Sequence, residues 1–210
     1  MKISNKLFTH VLKPIIFILL LLPALYLGWG LWQDTLGANP LEAVIRGLGD
    51  WALRILLITL AVSPIRRLIN WGQLLRLRRL LGLYAYFYAI LHLLGYLWFE
   101  QFFDWGEIWY DITERPFITV GMIALLLLTP LAMTSTKGMI RRMGKQWKRL
   151  HLLIYPIAIL SVLHFFWMVK LDISEPVIYA LILAALLGER ILYSLRKNWL
   201  KFSSPQQMVK

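Results

Sequence analysis

Long apolar runs alternate with short charged segments along the whole chain, and within each run the apolar residues are continuous rather than every second one. Stretches of about 18 to 20 residues, rising about 1.5 Å each, match a hydrocarbon core about 30 Å thick, whereas a spanning β-barrel would show alternating strands of about ten residues. The pattern predicts six transmembrane helices over residues 14–32, 47–65, 80–99, 117–134, 150–169 and 177–193. The expected fold class is all-α, a polytopic membrane helical bundle, because a helix closes its own backbone hydrogen bonds in lipid. The first run is longer than a signal-peptide core and has no small-x-small cleavage site, so it reads as a retained helix. No repeat or linker is visible by letter, and residues 1–210 read as one domain.

Composition narrows the class. Apolar residues make up 59% and charged residues only 16%, which excludes an ordinary soluble globule. Six spans leave about 90 of the 210 residues for loops and tails, too few for a separate soluble catalytic domain of about 100 residues. The absence of cysteine excludes disulfides, thiolate metal sites, iron–sulfur clusters and covalently attached c-type haem.

Charge orients the bundle. All 23 Lys and Arg residues except Arg46, Arg54, Arg115 and Lys170 flank the runs on the side of the N-terminus, and all 11 acids except Glu189 fall on the opposite side. The positive-inside rule therefore places both termini in the cytoplasm. The net charge of +12 reflects topology and attraction to anionic membrane lipid, and no nucleic-acid partner is expected.

Three of the four histidines lie in or at the predicted spans. His92 is twelve residues into the third span and His164 thirteen beyond His151 in the fifth, so parallel helices carry both to about 18 to 20 Å from the cytoplasmic face. Two imidazoles at one depth suit the axial positions of a haem iron, and Gly82, Ala85, Ala89, His92 and Tyr96 share a face with room for a flat macrocycle. The competing interpretation is close helix packing with an interhelical histidine hydrogen bond. With nitrogen on both faces of the iron, the chemistry would be one-electron transfer rather than gas binding. His151 stands about 140° around an ideal helix from His164, with Pro156 between them, and the third helix has no histidine opposite it. It reads equally as an inner-side ligand, a flavin or quinone contact, or an interfacial histidine. His10 reads as a solvated tail residue.

Several strings are more specific: RRLLGLY at 78–84, the intramembrane His92, ERPFITVG at 114–121, and TSTKGMIRRMGKQWKRLHLLIYP at 134–156, followed by His164. In these the chain resembles the MsrQ/YedZ family, haem-binding membrane subunits of the bacterial periplasmic protein-methionine-sulfoxide reductase system, within the ferric-reductase-like transmembrane superfamily. The resemblance implies a six-helix b-type cytochrome of the inner membrane carrying one haem b, or two, together with FMN. It implies electrons drawn from the quinone pool or a cytoplasmic flavin reductase and delivered to a periplasmic MsrP-like molybdenum-cofactor reductase. The chain itself would be the electron-transfer subunit, without catalytic residues of its own. Larger members of the superfamily hold two stacked haems, whereas here the inner position of the third helix lacks a histidine. The string GLGDWA at 47–52 fits a dinucleotide-binding pattern by letter, but no strand precedes it, so it carries no such meaning.

Two surfaces follow. Arg78, Arg79, Arg141, Arg142 and Lys145 are placed to hold the FMN phosphate or to attract an anionic donor, against the simpler account that they only set topology. The outer loop FFDWGEIWYDITERP at 102–116 combines acids with aromatics, as a headgroup-level belt or as a docking face for a basic partner. Asp50 and Arg54 are spaced to pair, and Arg54 or Arg115 to meet a haem propionate. Readings that compete with electron transfer to the methionine-sulfoxide system are a small transporter or scaffold without haem, and a ferric or other metal reductase.

Overall fold

The computed structural model describes residues 4–202, and every element among them is helical. Helix α1 spans Asn5–Trp32, α2 Pro40–Ile69, α3 Gly72–Glu100 and α4 Trp105–Glu114. Helix α5 spans Pro116–Met133, α6 Lys137–Met143, α7 Lys145–Met168 and α8 Ser174–Phe202. Helices α1, α3, α5, α7 and α8 are long and apolar enough to cross a membrane, so this is a multi-pass membrane protein.

The sixth expected span, 47–65, lies inside α2, which differs in kind from the other five. It runs for 30 residues with Glu42, Arg46, Asp50, Arg54, Arg66 and Arg67 along it, and it is the most deeply packed helix, with Ile55, Leu56 and Leu57 buried. Its length is set at both ends. Asn39 caps the start by accepting from the Glu42 amide at 3.3 Å, with Pro40 in the first turn, and Asn70 closes it in the left-handed region at φ 50°.

Helices α3 and α7 are longer than the apolar runs, because their cation-bearing flanks continue the helix rather than break it. Thus α3 begins at Gly72 instead of residue 80, and α7 at Lys145 instead of 150. The segment 102–116 contains a helix, α4, that hydropathy did not reveal. Asp104 caps it, accepting from the Gly106 and Glu107 amides at 2.9 and 3.2 Å.

Helix α2 packs along α3, and α5 packs along α7; α3 and α5 then meet, and α1 and α8 lie against α2. The buried cluster draws on all of these helices, centred on Ile55, Ala85, Tyr88, Ile157 and Ala158. Helices α1 and α8 leave large apolar side chains such as Leu25, Trp29, Leu181 and Leu192 exposed, the pattern expected of faces turned to lipid. A cavity lies among α2, α3, α5 and α7, and two of the histidines line it.

Candidate functional site

His92 on α3 and His164 on α7 face each other with ring centroids 6.1 Å apart and ring planes at 78°. Each ring is fixed from the helix behind it. His92 Nδ1 donates to the Ile45 carbonyl of α2 at 2.8 Å, and His164 Nδ1 donates to the Phe117 carbonyl of α5 at 2.7 Å. In both cases the histidine follows its carbonyl partner by 47 residues. One turn after each carbonyl stands a glycine, Gly49 or Gly121, and the imidazole lies against it: a Cβ would come 3.1 Å from His92 Nδ1 or 2.7 Å from His164 Nδ1. The pair α5 and α7 thus repeats the arrangement of α2 and α3, a repeat that no string of letters announces.

With Nδ1–H committed to a carbonyl, Nε2 is the unprotonated nitrogen with a lone pair. Neither Nε2 has a hydrogen-bond partner among the described residues, and both rings line a cavity of about 620 Å³, within the usual range for small-molecule and cofactor sites. Its walls are mostly apolar. Ala85 and Ala89 of α3, Ala124 and Leu128 of α5, and Ile157 and Ser161 of α7 are among the lining, and Arg46, Glu100 and Arg115 add charge to it.

A haem fits this donor set. Two imidazoles bonded through nitrogen to opposite faces of one metal, at about 2.0 Å per bond and about 1.1 Å more to each ring centre, place the centroids about 6.2 Å apart. The observed separation is 6.1 Å. Backbone carbonyls on the distal nitrogens are the usual supports of metal-binding histidines.

The other sequence-derived candidates distribute differently. Ala85, Ala89 and Tyr96 join His92 in the cavity wall as expected, whereas Gly82, although on that face, lies outside the lining with open space around it. His151 does not reach this cavity. Its ring stacks on Trp147 at 3.8 Å between centroids, and its Nδ1 donates to the Trp147 carbonyl at 3.1 Å. Among the cations, Arg78 is half-buried, with its Nε shielded and without a hydrogen-bond partner, in the neighbourhood of Tyr155 and Arg190. Arg79, Arg141, Arg142 and Lys145 are exposed and line no part of the histidine cavity. His10 is exposed and lies within α1 rather than in a tail. Asp50, which lines the cavity, and Arg54, which does not, approach to 3.8 Å, and Arg54 Nε also donates to Tyr179 at 2.7 Å.

Sequence reasoning missed the groups behind the histidines, since a backbone carbonyl has no letter. It also placed Asp111 among the acids of the 102–116 docking face, where the structure turns it inward. This carboxylate of α4 is buried and accepts from Tyr96 Oη at 2.8 Å, Gln101 Nε2 at 2.6 Å and Arg115 Nε at 3.0 Å, holding two residues of the cavity wall in place.

Comparison with known proteins agrees with this arrangement. Residues 16–162 match the family described as ferric reductase like transmembrane component. Relatives named protein-methionine-sulfoxide reductase heme-binding subunit MsrQ include one from Azospira oryzae, 52% identical over 92% of this chain and 85% of its own length. One from Rhodospirillum rubrum is 54% identical over 87% of this chain and 88% of its own length, and one from Xanthomonas campestris pv. campestris is 50% identical over 92% of each. No solved structure matches the chain. With a family match over 147 of 210 residues and about half of all positions shared with these relatives, the chain belongs to the MsrQ family of ferric-reductase-like membrane proteins.

Proposed function

We propose that the chain is the haem b electron-transfer subunit of a protein-methionine-sulfoxide reductase system, with His92 and His164 as the axial ligands. The observation that carries this is the facing pair of imidazoles, 6.1 Å between centres, each with Nδ1 spent on a carbonyl and Nε2 left for a metal. Haem bound between two nitrogens supplies a one-electron couple with no open position for oxygen. The protein's part is to hold the two rings, to keep water out with the Ala85, Ala124 and Leu128 wall, and to offer Arg46 and Arg115 to acidic groups at the outer end. The relatives' names, which call them heme-binding subunits of a methionine-sulfoxide reductase, support the same assignment.

The finer features of the reading follow from charge and from the family. Helix α2 is the sixth span, both termini lie on the cation-rich cytoplasmic face, and the membrane is the bacterial inner membrane. Electrons enter from the quinone pool or a flavin reductase near that face, where Arg78, Arg79, Arg141, Arg142 and Lys145 receive the phosphate of FMN or an anionic donor. They leave to a periplasmic MsrP-like molybdenum-cofactor reductase. His151, stacked on Trp147 outside the cavity, serves the inner side, as a flavin or quinone contact or as a ligand to a second haem.

The test is a reduced-minus-oxidised absorption spectrum, with haem and flavin quantified, for protein produced with ample porphyrin supply. The haem band should disappear in His92→Ala and His164→Ala and persist in His151→Ala. A colourless wild-type preparation, or full haem in both of the first two variants, would overturn the assignment.

A further inference from the structure

We propose that Gly49 and Gly121 are positioning residues that fix the ring planes of His92 and His164, each by leaving bare the carbonyl one turn earlier. The proposal rests on the axial-ligand reading above and goes beyond it, since it concerns residues that act on the ligands and not on the iron.

In a helix, the carbonyl of residue i accepts from the amide of residue i+4, and the side chain of i+4 stands beside that bond. Where i+4 is glycine, a second donor can approach the same carbonyl from the side. Both imidazoles do so: His92 Nδ1 reaches the Ile45 carbonyl beside Gly49, and His164 Nδ1 reaches the Phe117 carbonyl beside Gly121. The glycines could instead serve only close helix packing, as small residues commonly do in membranes. Their neighbours argue against it. The three heavy atoms nearest to a Cβ at Gly49 are Cε1, Nδ1 and Cγ of His92, and at Gly121 they are Nδ1, Cε1 and Cγ of His164. At Gly95, which does sit at a helix–helix contact, the neighbours are the side chain and Cα of Ile45. The same contact therefore occurs twice, in the same register, against the two side chains that matter to the site.

A methyl group has a direct consequence. At 2.7 Å from Nδ1, a Cβ on residue 121 forces the ring of His164 off its carbonyl, which frees both the tautomer and the tilt of the ligand. At 3.1 Å the ring of His92 can give way by a few tenths of an ångström, so alanine at 49 is the milder change.

The experiment compares full-length Gly49→Ala, Gly121→Ala and Gly82→Ala proteins purified in detergent with porphyrin supplied. Gly82 lies on α3 with open space around it and serves as the control. Haem per polypeptide and the electron paramagnetic resonance spectrum of the ferric state are read, with circular dichroism to verify helix content. Gly121→Ala should retain haem roughly 10-fold more weakly. Gly49→Ala should keep more haem, with altered ferric g-values, and Gly82→Ala should match the wild type. The proposal fails if Gly49→Ala and Gly121→Ala reproduce wild-type haem content and g-values, or if Gly82→Ala is impaired as much as they are. If Gly121→Ala loses its helix content, the g-values of Gly49→Ala decide. Retention of haem in His92→Ala and His164→Ala would instead remove the ligand reading, a result distinguishable from failure of the glycines.

Discussion

The hydroxyl of Tyr88 stands against the turn of α1 that contains Pro23. The Ala24 amide donates to Tyr88 Oη at 3.1 Å, and Tyr88 donates in turn to the Leu20 carbonyl at 2.7 Å, the carbonyl that the Ala24 amide would reach in an undisturbed helix. Proline has no amide and crowds the preceding turn, so a hydroxyl placed here adds hydrogen bonds where the ladder of α1 is weakened. Tyr84 supports the same stretch by donating to the Phe17 carbonyl at 2.8 Å. Since α1 is otherwise thinly buried, these two tyrosines are its main polar attachment to α3.

Tyr88→Phe should therefore weaken the attachment of α1. The substitution keeps the fully buried ring and deletes only the hydroxyl, leaving the Ala24 amide and the Leu20 carbonyl short of a partner. The cost expected is about 1–3 kcal/mol. A thermal melt in detergent followed by tryptophan fluorescence should show a lower midpoint, and limited proteolysis should cut near residues 20–24 sooner. An unchanged midpoint would show that the Ala24 amide and the Leu20 carbonyl do not depend on the hydroxyl.

Asp111→Asn makes a second test, at the cavity wall. The carboxylate takes three donors, from Tyr96, Gln101 and Arg115, and an amide of the same size can neither accept as strongly nor balance the guanidinium. Because Arg115 is half exposed, water recovers part of its loss, and about 1–3 kcal/mol is the expected cost. Cleavage of the 102–116 segment by protease should quicken while cleavage elsewhere keeps its rate. Equal acceleration everywhere would mean that Asp111 holds the whole bundle rather than this corner.

The fold and the central pair were legible in the sequence for one reason: helix periodicity and a uniform rise convert position directly into depth. That arithmetic placed His92 and His164 level, and the two rings face each other 6.1 Å apart in the lining of one cavity. The same arithmetic could not see α2 as the packed centre, because its charges lower its hydropathy while its apolar face is buried. Nor could it assign the carbonyls of Ile45 and Phe117, which have no letter of their own. Gly121 did stand inside a recognised string, ERPFITVG, and Gly49 inside one set aside as a chance dinucleotide pattern. Both were visible as glycines, but their role depends on which ring the neighbouring helix brings to them. The helix α4 escaped for a simpler reason, since its ten residues are amphipathic and too short for a span.

Filling the cavity should separate binding from folding. Ala89 of α3 lines the cavity together with the histidines, and phenylalanine there would occupy it with apolar atoms. Ala89→Phe should keep its helix content and elute as the wild type does, while haem per polypeptide falls several-fold. A flat group seated elsewhere would be indifferent to this change, so full haem content would move the site away from this cavity.

The crossing of α2 is open to a clean chemical test, because the chain has no cysteine to confuse a thiol label. Thr35, Arg76 and Lys148 are exposed, in the turn between α1 and α2, in the first turn of α3, and in α7 before His151. If α2 spans the membrane, Thr35 lies outside and the other two lie inside, as the distribution of cations demands. A membrane-impermeant maleimide applied to intact spheroplasts should label Thr35→Cys at once, and Arg76→Cys and Lys148→Cys only after lysis. Labelling of Arg76→Cys from outside together with Thr35→Cys would mean that α2 turns back without crossing. Lys148→Cys would then be labelled from outside as well, because α3 and α7, separated by the one crossing of α5, run in the same direction whether or not α2 crosses.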